Sequence, residues 1–291
     1  MRGVGHLCDR VAIIGASGQL GTDLMDVFRD REPIGLSHAG FDLEDAASLT
    51  AGLERYRPTL VINTAAYHNV EQCEEHPERA FAVNALGVDR LAGLCARYDC
   101  AFATFGTDYV FDGSATQPYQ ESDLPNPLNA YGTSKLAGEF LTKRHSGRHF
   151  LFRTSGLFGR AGSSSKGYTF VDRILRQAQA GEPLRVVTDM TFSPSYTRHV
   201  ARIVRSVIER GAFGLYHVTN SGACTWFEFA SEALRLRGFD AAIEPITTAQ
   251  FAARVKRPRY SALAHTALLR AGFPEPPPWR QGLSEYLAER S

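Results

Sequence analysis

Residues 11–21 read VAIIGASGQLG. A short β-branched run ends in Gly15, Gly18 and Gly21 follow at G-x-x-G-x-x-G spacing, and a helical pattern begins near Gln19. Glycines between a strand and a helix let the backbone turn tightly and approach a pyrophosphate. The helix N-terminus then offers unpaired N–H groups and the positive end of its dipole. The Lys-Ser/Thr pair of a nucleoside-triphosphate loop is absent, so the segment predicts a dinucleotide site, with Ser17, Gln19 and Leu20 completing its surface. A glycine-rich turn with no ligand is the alternative. A place at the first strand–helix junction argues against it.

The rest of the chain continues that alternation. Apolar runs at residues 59–63, 100–107 and 149–154 read as strands, with a second strand at residues 33–36. Helical patterns lie at residues 19–28, 46–56, 77–98 and around residues 130–139. Strands alternating with helices predict an α/β fold, a Rossmann-type doubly wound parallel sheet covered on both faces. Beyond residue 155 the texture changes. Residues 159–167, GRAGSSSKG, read as a loop, and helices are expected at 169–180, 197–210 and 226–236, the last opened by a capping-box pattern at Thr225 and Glu228. Short strands are expected at 184–187 and 215–218, and a proline-stiffened turn leads into a terminal helix. This divides the chain into a dinucleotide-binding domain at residues 1–155 and a mainly substrate-binding lobe at residues 156–291, some of whose segments can return to the first sheet.

Bulk properties narrow the function. At 291 residues, with 44% hydrophobic and 22% charged residues, the composition is that of a globular protein. A net charge of +1 and the lack of long basic runs argue against a nucleic-acid partner. No apolar run approaches the ~18 residues of a membrane span, and the first ten residues lack a signal-peptide core, so a cytoplasmic location without membrane contact is expected. Five scattered cysteines without C-x-x-C spacing suit a reducing compartment and point to no metal site.

Chemistry is suggested by LNAYGTSKLAGE at residues 128–139, which puts Tyr131 and Lys135 at i and i+4 on one helix face. An ammonium beside a phenol favours the phenolate, so Lys135 is expected to pull the Tyr131 pKa down and ready it for proton exchange. An exposed Tyr–Lys pair on an amphipathic helix is the bland alternative. Thr107 ends a predicted strand, where open α/β sheets bind ligands, and its hydroxyl can donate to a carbonyl oxygen beside Tyr131. Ser37-His38 follows the second strand where an acid would favour NAD or an arginine NADP; with neither present, NADPH is favoured slightly and NADH stays open. Asp42-Leu43 can reach the adenine, or Asp42 can cap the helix at 46–56.

Five stretches stand in order: the phosphate loop, VINTAAYHNVEQCEEHPERAFAVNALG (61–87), GTDYVFDG (106–113), ESDLPNPLNAYGTSKLAGE (121–139) and FRTSGLFG (152–159). Together they resemble the extended short-chain dehydrogenase/reductases, and most closely the dTDP-4-dehydrorhamnose reductase family. The match is strong over residues 10–160 and weaker through VVTDMTFSPSYTRHVA, GLYHVTN and RPRYSAL. The resemblance implies NAD(P)H-dependent reduction of the C4 ketone of a nucleotide-activated 4-keto-6-deoxy sugar. Thr107 and Tyr131 would bind the ketone oxygen, Tyr131 would supply the proton, and Lys135 would hold the nicotinamide ribose. Ala65, Ala66, Tyr67 and Thr154 would line the cofactor, and His68, Val70, Asp108, Tyr109 and Gly156 would surround the sugar. Arg257 and Arg259 suit a nucleotide diphosphate, or a solvated basic turn. A homodimer is left open.

Within the resemblance, sugar-nucleotide dehydratases carry Asp-Glu after the equivalent threonine. Here Asp108-Tyr109 follows Thr107, so dehydration is not expected. Two departures bear on the sugar. Gly156 stands where the family carries a tryptophan that packs on it, and His68 stands where a threonine is common. Both would reshape the pocket. Two further classes compete with a reductase: a dinucleotide-binding regulatory module like the methionine adenosyltransferase β subunit, and a nucleotide-sugar 4-epimerase. The intact Thr107, Tyr131 and Lys135 set favours the reductase.

Overall fold

The computed structural model describes residues 7–37, 40–145, 147–162, 167–251 and 254–290. Five strands alternate with helices in the first half: β1 (Val11–Ile14), β2 (Ile34–Leu36), β3 (Leu60–Asn63), β4 (Ala101–Thr107) and β5 (His149–Thr154), all but β2 largely buried. A sixth strand, Gly214–His217, arrives from the second half and pairs with β5. The sheet order is Gly214–His217, β5, β4, β3, β1, β2, and every pairing in it is parallel. The chain leaves β1 toward one edge and returns as β3 on its other side. That reversal opens a crevice at the strands' C-terminal ends, where open α/β sheets bind ligands.

Side-chain alternation explains both faces of this sheet. Val11 and Ile13 pack with Leu60, Ile62, Phe150 and Phe152 beneath the helices Gln19–Val27 and Thr197–Arg210. Ala12 and Ile14 point the other way and join Val61 and Phe102 under Ala46–Tyr56 and Val88–Arg97. A period of two over strands covered on both sides is what makes these runs read as continuously apolar.

Part of the second half packs around an aromatic core of its own, in which Phe158, Tyr196, Phe229, Trp279 and Tyr286 are buried, while Val200, Val204, Val218 and Leu268 join the core of the sheet. Helices Phe170–Gln179, Trp226–Leu236 and Trp279–Ala288 enclose the aromatic core. Short strand pairs tie it together: Leu184–Val187 with Ile243–Ile246 in parallel, and Thr191–Phe192 with Cys224–Thr225 antiparallel. The capping box at Thr225 forms, with the Glu228 N–H donating to Thr225 Oγ1 at 3.1 Å and Glu228 accepting from the Thr225 N–H at 2.7 Å.

Two sequence expectations need adjustment. The helix expected over 77–98 is interrupted: Pro77–Phe81 passes into a π-helical turn at Ala82–Gly87 before Val88–Arg97 resumes. Asp42 does not cap the helix Ala46–Tyr56. Asp45 does, its carboxylate accepting from the Ala47 N–H at 2.9 Å, while Asp42 accepts from the Glu44 N–H at 2.9 Å. Residues 163–166 of the 159–167 loop, and His38 after the second strand, lie outside the described residues. Among the described residues, no helix is long and apolar enough to cross a membrane, and no group of three or more His, Cys, Asp or Glu side chains is arranged to hold a metal ion.

Candidate active site

The phosphate loop leaves β1 through Gly15, whose φ of +76° is a left-handed conformation that favours glycine. A Cβ on Gly21 would lie 2.0 Å from the Gly15 carbonyl oxygen, so only glycine lets the following helix sit this close to the loop. Above the loop runs a cleft of about 590 Å³. Gly15, Ser17, Gly18, Gln19, Leu20, Asp42, Leu43, Ala65, Ala66, Tyr67, Tyr131, Lys135 and Thr154 all line it. Gly21 does not; it packs the helix against the turn from below. A glycine-walled cradle at a helix N-terminus, opening into a long cleft, fits a dinucleotide in size and donor chemistry.

Helix Ala130–Lys143 carries the tyrosine and lysine. Asn129 caps it, accepting from the Gly132 N–H at 2.8 Å, and its own amide donates to the Lys256 carbonyl at 2.9 Å, tying the helix start to the second lobe. Lys135 is buried, and loss of hydration lowers its pKa to about 8 while the Glu139 carboxylate works to raise it. The Tyr131 phenol does not follow the expectation of a lowered pKa. Burial pushes it above its ordinary value, and a hydrogen bond with Thr107 opposes that only in part. The cause is water exclusion, which penalises a phenolate more than the neighbouring groups stabilise it.

Thr107 ends β4 and is 5% exposed. Its Oγ1 accepts from the Tyr109 N–H at 3.2 Å and lies 3.1 Å from Asp108 Oδ1, to which it donates. Asp108 also receives the hydroxyls of Ser155 at 2.8 Å and Ser261 at 2.6 Å on Oδ2. Even so, burial dominates and raises the Asp108 pKa to about 6. Tyr109 meets Tyr131 edge-on, with ring centroids 5.9 Å apart.

Two further cavities adjoin the cleft. One of about 170 Å³ is lined by Thr107, Asp108 and Tyr131 from the sheet domain, with Val70, Tyr109 and Gly156 beside them and Met190, Phe192 and Trp226 opposite. The other, about 1070 Å³, extends past His68 and Val70 toward Arg173, Arg185, Lys256, Arg257 and Arg259. His68 therefore stands where the cleft and the large cavity meet, and Gly156 where the cleft and the small pocket meet. Arg257 pairs with Glu71 and bonds to Tyr109.

Several contributors are not evident from the sequence. Asn84, in the π-helical turn, accepts from the Tyr67 N–H at 2.9 Å and donates to the Tyr67 carbonyl at 2.8 Å and to Ser134 Oγ at 3.1 Å. It thereby fastens the Ala65–Tyr67 wall of the cleft to the helix of Tyr131 and Lys135. Asparagine is a weak helix former, so its place inside a long helical pattern was the available signal. Arg79 also lines the cleft, its guanidinium 5.1 Å from the Tyr67 ring centroid.

A family model described as RmlD substrate binding domain matches residues 9–291. The chain belongs to this family. The match spans both the phosphate-loop half and the aromatic lobe of the RmlD-type chain. Among its relatives, the spore coat polysaccharide biosynthesis protein SpsK of Bacillus subtilis (strain 168) is 37% identical over 97% of this chain and 98% of its own length. A dTDP-4-keto-6-deoxy-D-glucose reductase of Streptomyces niveus is 33% identical over 96% of both chains. The crystal structure of dTDP-4-dehydrorhamnose reductase from Bacillus anthracis str. Ames in complex with NADP superposes with a TM-score of 0.92 at 32% identity, covering 96% of this chain and 99% of that one.

Proposed function

We propose that the protein is an NADPH-dependent oxidoreductase that reduces the C4 ketone of a dTDP-linked 4-keto-6-deoxy sugar, dTDP-4-dehydrorhamnose to dTDP-rhamnose being the leading case. One observation carries this: Thr107 and Tyr131 line both the dinucleotide cleft and a small pocket that adjoins it. Reductases among the relatives, and the NADP in a structure so similar over its full length, support both substrate class and cofactor.

The chemistry a bound nicotinamide would supply is a hydride for the ketone carbon. Thr107 and Tyr131 grip the ketone oxygen and stabilise the charge that builds on it. Tyr131 passes its phenolic proton to the new alkoxide. Burial suits that task, because a phenol pushed up in pKa is still protonated at neutral pH. Lys135 holds the nicotinamide ribose, with Ala65, Ala66, Tyr67 and Thr154 along the same wall. Gly15, Ser17, Gly18, Gln19 and Leu20 hold the pyrophosphate, with Asp42 and Leu43 toward the adenine. His68, Val70, Asp108, Tyr109 and Gly156 surround the sugar, and Arg257 and Arg259 take the diphosphate of the nucleotide. Five buried, unpaired thiols and the lack of a membrane-crossing helix among the described residues support a cytoplasmic enzyme. A homodimer is the quaternary state to test by sedimentation.

The test is NADPH consumption with dTDP-4-dehydrorhamnose generated in situ, with NADH in parallel. Rapid oxidation of NADPH is expected. Silence with both cofactors, alongside demonstrable NADPH binding, would overturn dTDP-4-dehydrorhamnose as the substrate in favour of another keto sugar or of a binding module.

A further inference from the structure

Phe192 and Trp226 come from separate segments, yet their rings stack with centroids 3.9 Å apart and planes 15° from parallel. The backbone enforces this. Cys224 pairs with Phe192 and Thr225 with Thr191 in one antiparallel ladder, and the capping box then starts the helix at Trp226. Phe170 backs the indole edge-on at 4.7 Å, and Phe229 meets Phe192 edge-on at 5.8 Å. A stack braced on both members is rigid, and a rigid aromatic surface binds at low entropic cost.

Both rings line the 170 Å³ pocket that Thr107 and Tyr131 also line. The pocket is thus lined by two kinds of residue, the polar Thr107, Asp108 and Tyr131 from the first half of the chain and the aromatic Phe192 and Trp226 from the second. Gly156 lies on the boundary. A Cβ built there would fall 2.3 Å from the Phe192 ring, and its φ of +50° already disfavours a side chain. The Phe192 ring occupies the space any residue other than glycine would take.

We propose that the Phe192–Trp226 stack is the platform on which the sugar ring of the substrate packs, and that Gly156 is the gap that lets Phe192 reach it. This rests on the reading of the small pocket as a sugar site. A pyranose has an apolar face of C–H groups and a rim of hydroxyls, which matches a pocket lined by both aromatic and polar residues. Phe192 and Trp226 act by holding the sugar so that its ketone meets Thr107 and Tyr131. They are positioning residues.

The experiment compares the affinities of dTDP-glucose, a stable nucleotide sugar, and of dTDP alone, each in the presence of NADP. Phe192→Leu and Trp226→Leu are expected to weaken dTDP-glucose about tenfold and to leave dTDP unchanged. Trp226→Phe is expected to restore most of the sugar affinity. The chain has two tryptophans, and the other, Trp279, is buried in the core of the second lobe. Intrinsic fluorescence that shifts with dTDP-glucose more than with dTDP, and loses that difference in Trp226→Phe, is therefore the spectroscopic signature. Gly156→Ala, which leaves both rings in the sequence, is expected to weaken the nucleotide sugar selectively as well. Equal losses for dTDP and dTDP-glucose, or no loss for either, would overturn the platform. Wild-type enzyme that shows the selective signature yet reduces no 4-keto sugar would instead sink the reductase function and leave the platform standing.

Discussion

Glu139 and Arg153 meet through three hydrogen bonds of 2.7 to 3.2 Å, with both side chains only 3% exposed. The pair joins the helix of Tyr131 and Lys135 to β5, and the Glu139 carboxylate also supports the charge on Lys135. Removing one partner leaves the other charged and dry. Glu139→Ala is expected to cost about 3–5 kcal/mol in denaturant unfolding. Unchanged stability would show that the pair is dispensable to the fold.

Tyr131→Phe removes the proposed proton donor and little else. Turnover is expected to fall by at least about a hundredfold, with NADPH affinity within about twofold of wild type. Because burial raises the phenol pKa, the wild-type rate should show no loss from Tyr131 ionisation between pH 7 and 9. A mutant of near-normal rate would remove Tyr131 from the mechanism.

Lys135 sets a different limit on pH. Its ammonium is present below about pH 8 and is lost above it. NADPH binding measured by fluorescence titration should therefore weaken as pH rises through 8. Lys135→Ala should bind more weakly at pH 7 and lose that dependence. A flat wild-type profile would mean that the ribose contact does not need the charge.

Asp108 is held at an energetic cost. Its pKa rises from 3.8 to about 6 on folding, so its contribution to stability is present below pH 3.8 and is lost as pH climbs through 6. The displacement corresponds to about 3 kcal/mol. Asp108→Asn should therefore raise the melting temperature at pH 8 and change it little at pH 4, while slowing turnover through its contact with Thr107. His217 moves oppositely. Burial depresses its pKa to about 3, so its contribution is present above 6.5 and lost as pH falls toward 3. Comparing Asp108→Asn with wild type cancels that background.

Much of the candidate site was legible in local sequence. The phosphate loop, the strand ending at Thr107 and the Tyr131–Lys135 spacing each follow from a pattern a few residues long, and the sheet follows from alternating apolar runs. What stayed hidden depended on contacts distant in sequence. The π-helical turn at Asn84 reads as ordinary helix because its apolar spacing barely changes. Asp42 and Asp45 are equally plausible caps until the backbone decides. The pKa of Tyr131 depends on how deeply the folded chain buries it, and the i, i+4 spacing says nothing of that. Gly156 was visible as a departure, but the ring that fills its space belongs to another strand.

The strand Gly214–His217 sets a timetable for the protein's birth. β5 has no neighbour on that side until residue 217 has left the ribosome, so the nascent chain carries an open sheet edge while most of the second lobe is still being made. Unpaired edges template pairing with other chains. Between Thr154 and Gly214 the nascent chain therefore has an edge to protect, and a chain cut short in that interval is expected to aggregate rather than form a smaller enzyme.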